Sequence, residues 1–409
     1  MLSIPVVAQQ IKYTDGKDSW NPDMLGNHRA VIEFYGKGDV AKTTIEWRRR
    51  DQNPEKKRII VQDANGKEIT NLKTVDINRE SGTIFFEPIP GQTTYYVYYM
   101  PYIDEGTANY LKGVYASPEN KADEKWLSKI KPNLKNNTTV QEIQSINAFN
   151  SVYSMEVIAT SAETNALIAK NSGSSFIVFP EDRLHSIRMT NDLPQRWTEK
   201  GVQNTFSETA LKGEYLAFQL GIYALQDLSD VKITFSDLKS SSGATINSKY
   251  ISCINTDGTK YDGTIFTNSV SVKKGKVQAM WCGVDVPQNT ASGTYTGKAV
   301  VNSNGKSKEI TLSIKVGDDV TLNGGIDFPE KMTRLKWLNS TLAQENTVIK
   351  PYSPLVVKDN EISLLGRKLI LDTDGFPAQI QTFFTPEMTS IGTKANDILS
   401  APIAFHFVD

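Results

Sequence analysis

The sequence predicts a mainly β protein made of several sandwiches, on three observations. Short apolar runs alternate with small or polar residues through most of the 409 positions, the period that gives a strand one buried face. Turn dipeptides, among them Asn53-Pro54, Asn65-Gly66, Ser81-Gly82 and Pro90-Gly91, punctuate those runs at short intervals. The repeating strand–helix pattern of a parallel barrel is absent. The expected architecture is a chain of immunoglobulin-like or carbohydrate-module-like sandwiches with a helical α/β insert at about residues 117–180.

Residues 1–10, Met-Leu-Ser-Ile-Pro-Val-Val-Ala-Gln-Gln, read as the end of an export signal, with Val6, Val7 and Ala8 placing small residues before a cut ahead of Gln9. Export to the periplasm, the outer cell surface or the medium is therefore expected. A first sandwich follows over 11–116, with strands at 29–35, 43–47, 58–62, 82–86 and 93–99. The segment 117–189 carries helical signals. Ser117-Pro118-Glu119 offers a cap, and Ala122, Trp126 and Ile130 recur every fourth residue. Thr139 with Glu142 makes a capping box ahead of the stripe Ile143, Ile146, Phe149 and Tyr153, which predicts a second helix. A strand at 155–159, a helix at 162–170 and a strand at 176–179 then suggest one strand–helix–strand unit, without a Gly-rich phosphate loop.

An immunoglobulin-like sandwich is expected over 190–320. Residues 217–224 and 231–235 alternate, and the strands 278–286 and 294–301 flank a polar turn as a hairpin-like pair. From 321 to 409 a third β-domain is expected, with strands at 334–338, 355–357, 361–365, 368–371, 380–384 and 404–408. It ends on an apolar strand with no neighbour, so further residues are expected beyond Asp409.

Charge points to no partner: 45 Lys and Arg balance 46 Asp and Glu. Nucleic-acid binding is not expected, because Arg48-Arg-Arg50 and Lys56-Lys-Arg58 sit among Glu46, Asp51, Glu55 and Asp63 and read as a solvated strand edge. No run reaches the about 18 apolar residues of a membrane-spanning helix. Cys253 and Cys282 can be a cross-strand pair or two buried thiols.

No cofactor or metal is predicted. His28, His185 and His406 are scattered, and Asn255-Thr-Asp-Gly258, which could offer oxygens to calcium, is first a turn signal. Motifs of serine hydrolases, zinc proteases and phosphate loops are absent. Glu181-Asp182 is the most tempting carboxylate pair, but adjacent residues on an extended chain point apart, and Arg183 and Arg188 stand by as salt partners. No catalytic residue is therefore assigned. For sugar stacking the candidates are Trp20, Trp197 and Tyr98, chosen from an aromatic set that includes Trp47, Tyr95, Tyr96 and Tyr99. The competing reading puts these rings in sandwich cores. Trp197, after Leu193-Pro194-Gln-Arg196, is the one least expected there.

Trp20-Asn-Pro, Gly26-Asn-His-Arg-Ala30, Trp47-Arg-Arg-Arg-Asp51, Tyr95-Tyr-Val-Tyr-Tyr-Met-Pro101 and Phe179-Pro-Glu-Asp-Arg183 resemble the N-terminal region of large secreted Bacteroidetes glycoside hydrolases. Gly213-Glu-Tyr-Leu-Ala-Phe-Gln219, Val284-Asp-Val-Pro287 and Gly293-Thr-Tyr-Thr-Gly297 are similar to the sandwich that precedes the barrel in the β-N-acetylgalactosaminidase glycoside hydrolase family, and 334–340, Arg-Leu-Lys-Trp-Leu-Asn-Ser, to the start of a further β-domain. The resemblance covers nearly the whole chain. It implies a polysaccharide-degrading parent enzyme whose catalytic barrel lies downstream in the same polypeptide, with this chain as a non-catalytic accessory region that contacts glycan. A free-standing surface glycan-binding or adhesion protein is the alternative. An enzyme complete in itself ranks last.

Overall fold

The computed structural model describes residues 11–345 and 347–406; the export-signal remnant lies outside them. The chain divides into two compact units, one of residues up to 258 with 265–339, the other of 259–264 with 340 onward. It is mainly β.

The first unit begins with a sandwich. Its larger sheet runs Lys12–Asp15, Thr138–Ser145, His28–Phe34, Thr94–Tyr98, Ile60–Asp63, and its smaller one Ala41–Ile45, Gly82–Phe86, Leu72–Val75. Ile32, Val61, Tyr95 and Val97 of one sheet meet Ile45, Ile84 and Phe86 of the other in a single core. The helix expected from Thr139 is instead the strand Thr138–Ser145, paired with His28–Phe34. A bulge between Val140 and Glu142 explains the misreading. Its extra residue lets Val140 and Ile143 both pack on the core although they are three apart, a spacing that mimics a helix. Phe149, the third residue of the supposed stripe, is 96% exposed. Helix Glu124–Leu127 does form, capped by Asp123 rather than from Ser117, and buries Trp126 against Val40 and Phe85.

A second sandwich follows. One sheet is ordered Phe176–Glu181, Tyr215–Ala224, Val277–Asp285, Ile251–Cys253; the other runs Thr205–Lys212, Lys306–Val320, Gly293–Ser303, Leu228–Phe235, Val270–Val272. Residues 154–156 form a 3-10 turn where a strand was expected, and Phe176–Glu181 pairs antiparallel with Tyr215–Ala224, so the expected strand–helix–strand unit over 155–179 does not form. The apolar strand 176–181 joins this sandwich because Phe176 and Val178 fill its core while Ile177 and Phe179 face the other way. Val277–Asp285 and Gly293–Ser303 belong to different sheets, so the polar turn between them is a crossover, not a hairpin. The hairpin lies one turn later, at Asn304-Gly305, both at positive φ, between Gly293–Ser303 and Lys306–Val320.

The outer face of the first of these sheets is covered as well. Helix Ser161–Lys170, held by a Thr160/Glu163 capping box, and helix Gln195–Lys200 bring Leu167 and Trp197 onto Ile177, Phe179 and Tyr223. Residues 333–339, expected as a strand, form a 3-10 segment.

The second unit is a meander of five antiparallel strands, Val356–Lys358, Glu361–Leu364, Arg367–Leu371, Pro377–Phe384 and Ile391–Asp397. Residues 404–406 of the expected closing strand are not in a strand, and 407–408 lie outside the described residues.

Candidate functional site

The structure buries all three proposed stacking platforms. Trp20, 9% exposed, donates its indole N–H to the Gly26 carbonyl at 2.9 Å, and its ring lies 4.2 Å from the Arg29 guanidinium, which is sandwiched against Tyr96 at 3.7 Å. Tyr98, 1% exposed, packs edge-on to Trp20 and accepts from Arg29 Nη1 at 3.2 Å. Burial raises the Tyr98 phenol above its ordinary pKa despite that cation. Trp197, 1% exposed, is stacked on Phe179 at 4.3 Å and 7°, and donates to Glu181 Oε1 at 2.9 Å. Its loop-like surroundings concealed a helical turn that lays the indole on the sheet, over Gly221, where a Cβ would stand 2.5 Å from the ring. Buried and with their polar atoms already bonded, these three rings are core residues and present no open face to a sugar.

Glu181 and Asp182 serve the same packing. Glu181 is buried and accepts from Trp197 and from Arg196 Nε at 3.2 Å. Asp182 accepts the backbone N–H groups of Leu184 and His185 and meets the His185 ring at 2.8 Å. Burial alone would raise the Asp182 carboxyl, but the hydrogen bonds and charge of His185 outweigh it and hold the carboxyl below the usual range. Glu181, Asp182 and His185 each bring one ligand atom within 4.8 Å of the others. The Glu181 and Asp182 oxygens already hold the protein donors that account for this cluster. Asn255 Oδ1 likewise accepts the backbone N–H of Trp281 at 2.6 Å. Cys253 and Cys282 stand directly opposite each other on neighbouring strands as buried free thiols.

The side chains that converge on open space are elsewhere. Beyond strand Ala41–Ile45 the chain passes Arg48 at φ 46°, a left-handed kink that fans three consecutive arginines apart. Arg48 grips Glu163 with two bonds of 2.7 and 2.9 Å. Arg49, buried, grips Asp51 with two of 2.7 Å and donates to the Tyr99 carbonyl. Asp51 also takes Lys57; burial raises its carboxyl, but these two cations outweigh burial and depress it. Arg50 reaches Glu156 at 3.4 Å. Facing them, Arg188 lies 4.1 Å above the ring of Tyr153, whose hydroxyl is pinned to the Leu184 and Ser186 carbonyls, and it too reaches Glu156. Between these walls runs a cleft of about 570 Å³ that also touches Trp47, Tyr99 and Tyr115. His28 at its margin is held below its ordinary pKa by burial, against the opposing pull of the Asn150 carbonyl. Sequence reading took Arg48 to Arg50 for a solvated edge; nothing local signals that Arg188 faces them.

Three family models match the chain. The N-terminal domain of glycoside hydrolase 123 matches residues 18–146, a further glycoside hydrolase 123 N-terminal domain model matches 253–303, and the glycoside hydrolase 123 third domain matches 355–409. The chain carries the N-terminal domain of a glycoside hydrolase 123-like protein. No curated protein matches it. Among solved structures, a family 123 glycoside hydrolase from Clostridium perfringens that hydrolyses glycolipid glycans is similar at 18% identity over 36% of this chain, with TM-score 0.30. The chain covers 28% of the length of that enzyme. The CooA pilin subunit of enterotoxigenic Escherichia coli matches 36% of the chain at 12% identity, with TM-score 0.21. No helix of the described residues is long and apolar enough to cross a membrane.

Proposed function

We propose that this family 123 region is the non-catalytic N-terminal accessory part of a secreted, polysaccharide-degrading glycoside hydrolase, ordering a catalytic barrel of the same polypeptide and contacting glycan. The observation that carries the reading is the fate of the most tempting acid pair. Glycoside hydrolysis uses two carboxylates facing each other across a sugar, and Glu181 and Asp182 are spent on Trp197, Arg196 and the turn at 184–185. The matches to N-terminal and third domains, all on β-rich segments, support the same assignment. The chain alone is expected to release no reducing sugar from aryl N-acetylgalactosaminides or polysaccharides. Turnover that disappears in Asp182→Asn or Glu181→Gln would overturn the proposal.

A further inference from the structure

Resting on the proposed glycan role, we infer that the arginine cleft of the first unit is a binding site for an acidic saccharide, with Arg50 and Arg188 as the pair that receives its carboxylate or sulfate group. The inequality among the arginines around the cleft carries the inference. Arg48, Arg49 and Arg79 each hold a carboxylate of their own in a two-pronged pair with every bond between 2.5 and 2.9 Å. Arg50 and Arg188 instead share one oxygen, Glu156 Oε1, at 3.4 and 3.5 Å, outside the about 2.7–2.9 Å of a charge-assisted bond.

Both side chains are 53% exposed. Two guanidiniums on one carboxylate leave a positive charge with no counter-ion among the described residues. Stacking on Tyr153 occupies a face of the Arg188 guanidinium and orders it, while its N–H donors, which lie in the guanidinium plane, stay available for a planar or tetrahedral anion. The charge balance also restricts the ligand. The cleft wall sets four arginines against Asp51, Glu156 and Asp192, so a densely charged polyphosphate chain would meet repulsion where a saccharide with one isolated anion would not. Tyr153 and Tyr115 also line the cleft, but each already carries a cation over its ring, Arg188 at 4.1 Å and Lys57 at 3.9 Å, so recognition here rests on the arginine charge and not on ring stacking.

The test is isothermal titration of the full chain with oligogalacturonate, a sulfated galactan and a neutral galactan. Binding is expected for the anionic probes, weakening as salt rises, and the stronger of the two tells whether carboxylate or sulfate is the natural group. Arg50→Gln and Arg188→Gln should each weaken it by about tenfold or more, Glu156→Gln should tighten it, and Lys298→Gln, paired with Glu309 outside the cleft lining, should leave it unchanged. If Arg188→Gln is misfolded by circular dichroism, Arg188→Lys replaces it: the charge remains, the fork is lost and binding should still fall. Anionic binding untouched by these variants, binding to the neutral galactan alone, or no binding overturns the acidic-saccharide site and leaves the accessory assignment standing. That assignment fails separately, through sugar release.

Discussion

Two interior strands show how differently one pattern can end. Tyr215–Ala224 and Pro377–Phe384 are both apolar-rich and flanked on both sides in antiparallel sheets. All ten residues of the first are buried; all eight of the second are only half-buried. Leu216, Phe218, Leu220 and Ile222 enter a sandwich core with Leu312 and Ile314, and the reverse face lies under Trp197 and Met155 with Tyr223. The strand 377–384 belongs to a single meander whose unit supplies no opposing sheet among the described residues. Alternation decides which side chains share a face, whereas burial requires something to lie against that face.

The widest separation should come from truncating each strand in the full chain and following denaturant unfolding. Phe218→Ala, at a fully buried and ring-stacked position, is expected to cost about 3–5 kcal/mol. Next, Gly221→Ala should cost about 1–3 kcal/mol by overpacking, since the new methyl would meet the Trp197 ring; if it is neutral, the outer cover is looser than the structure indicates. Ile380→Ala, on the half-buried strand, should cost only about 1 kcal/mol. A loss as large as that of Phe218→Ala would mean that a covering surface buries 377–384 in solution.

The smallest effect is a pH dependence in the outer cover of Tyr215–Ala224. Asp182, whose backbone carbonyl accepts from Gln219 of that strand, has its carboxyl held below the usual range. A depressed folded pKa contributes stability above the unfolded value near 3.9 and loses it as pH falls through the folded value. Asp182→Asn should therefore be less stable than wild type at neutral pH, and the gap should close on acidification. A gap constant with pH would remove Asp182 from the cover's electrostatics.

The strands at 217–224, 231–235, 361–364 and 380–384 and the helix near 162–170 were legible because alternation, turn residues and a capping box are local signals. Thr138–Ser145 was not, since its bulge replaced period two with a spacing of three. Trp197 carries no local sign of burial for a different reason: its neighbours in sequence are polar, and the surface it covers, Phe179 and Gly221, comes from two other strands.

What the sequence by itself determined is the β-rich class, the turns that divide it and the family resemblance. Only the tertiary structure decided which faces are covered and which charges meet. Arg50 and Arg188 are 138 positions apart (188 − 50) and come to share Glu156 because the segment after Thr138–Ser145 is bonded back to the first sandwich, Ile158 N–H to the Arg48 carbonyl and Asp192 to Arg79. Strand periodicity is set by neighbours two residues away, whereas a cleft is assembled by packing between distant segments, which no local pattern encodes.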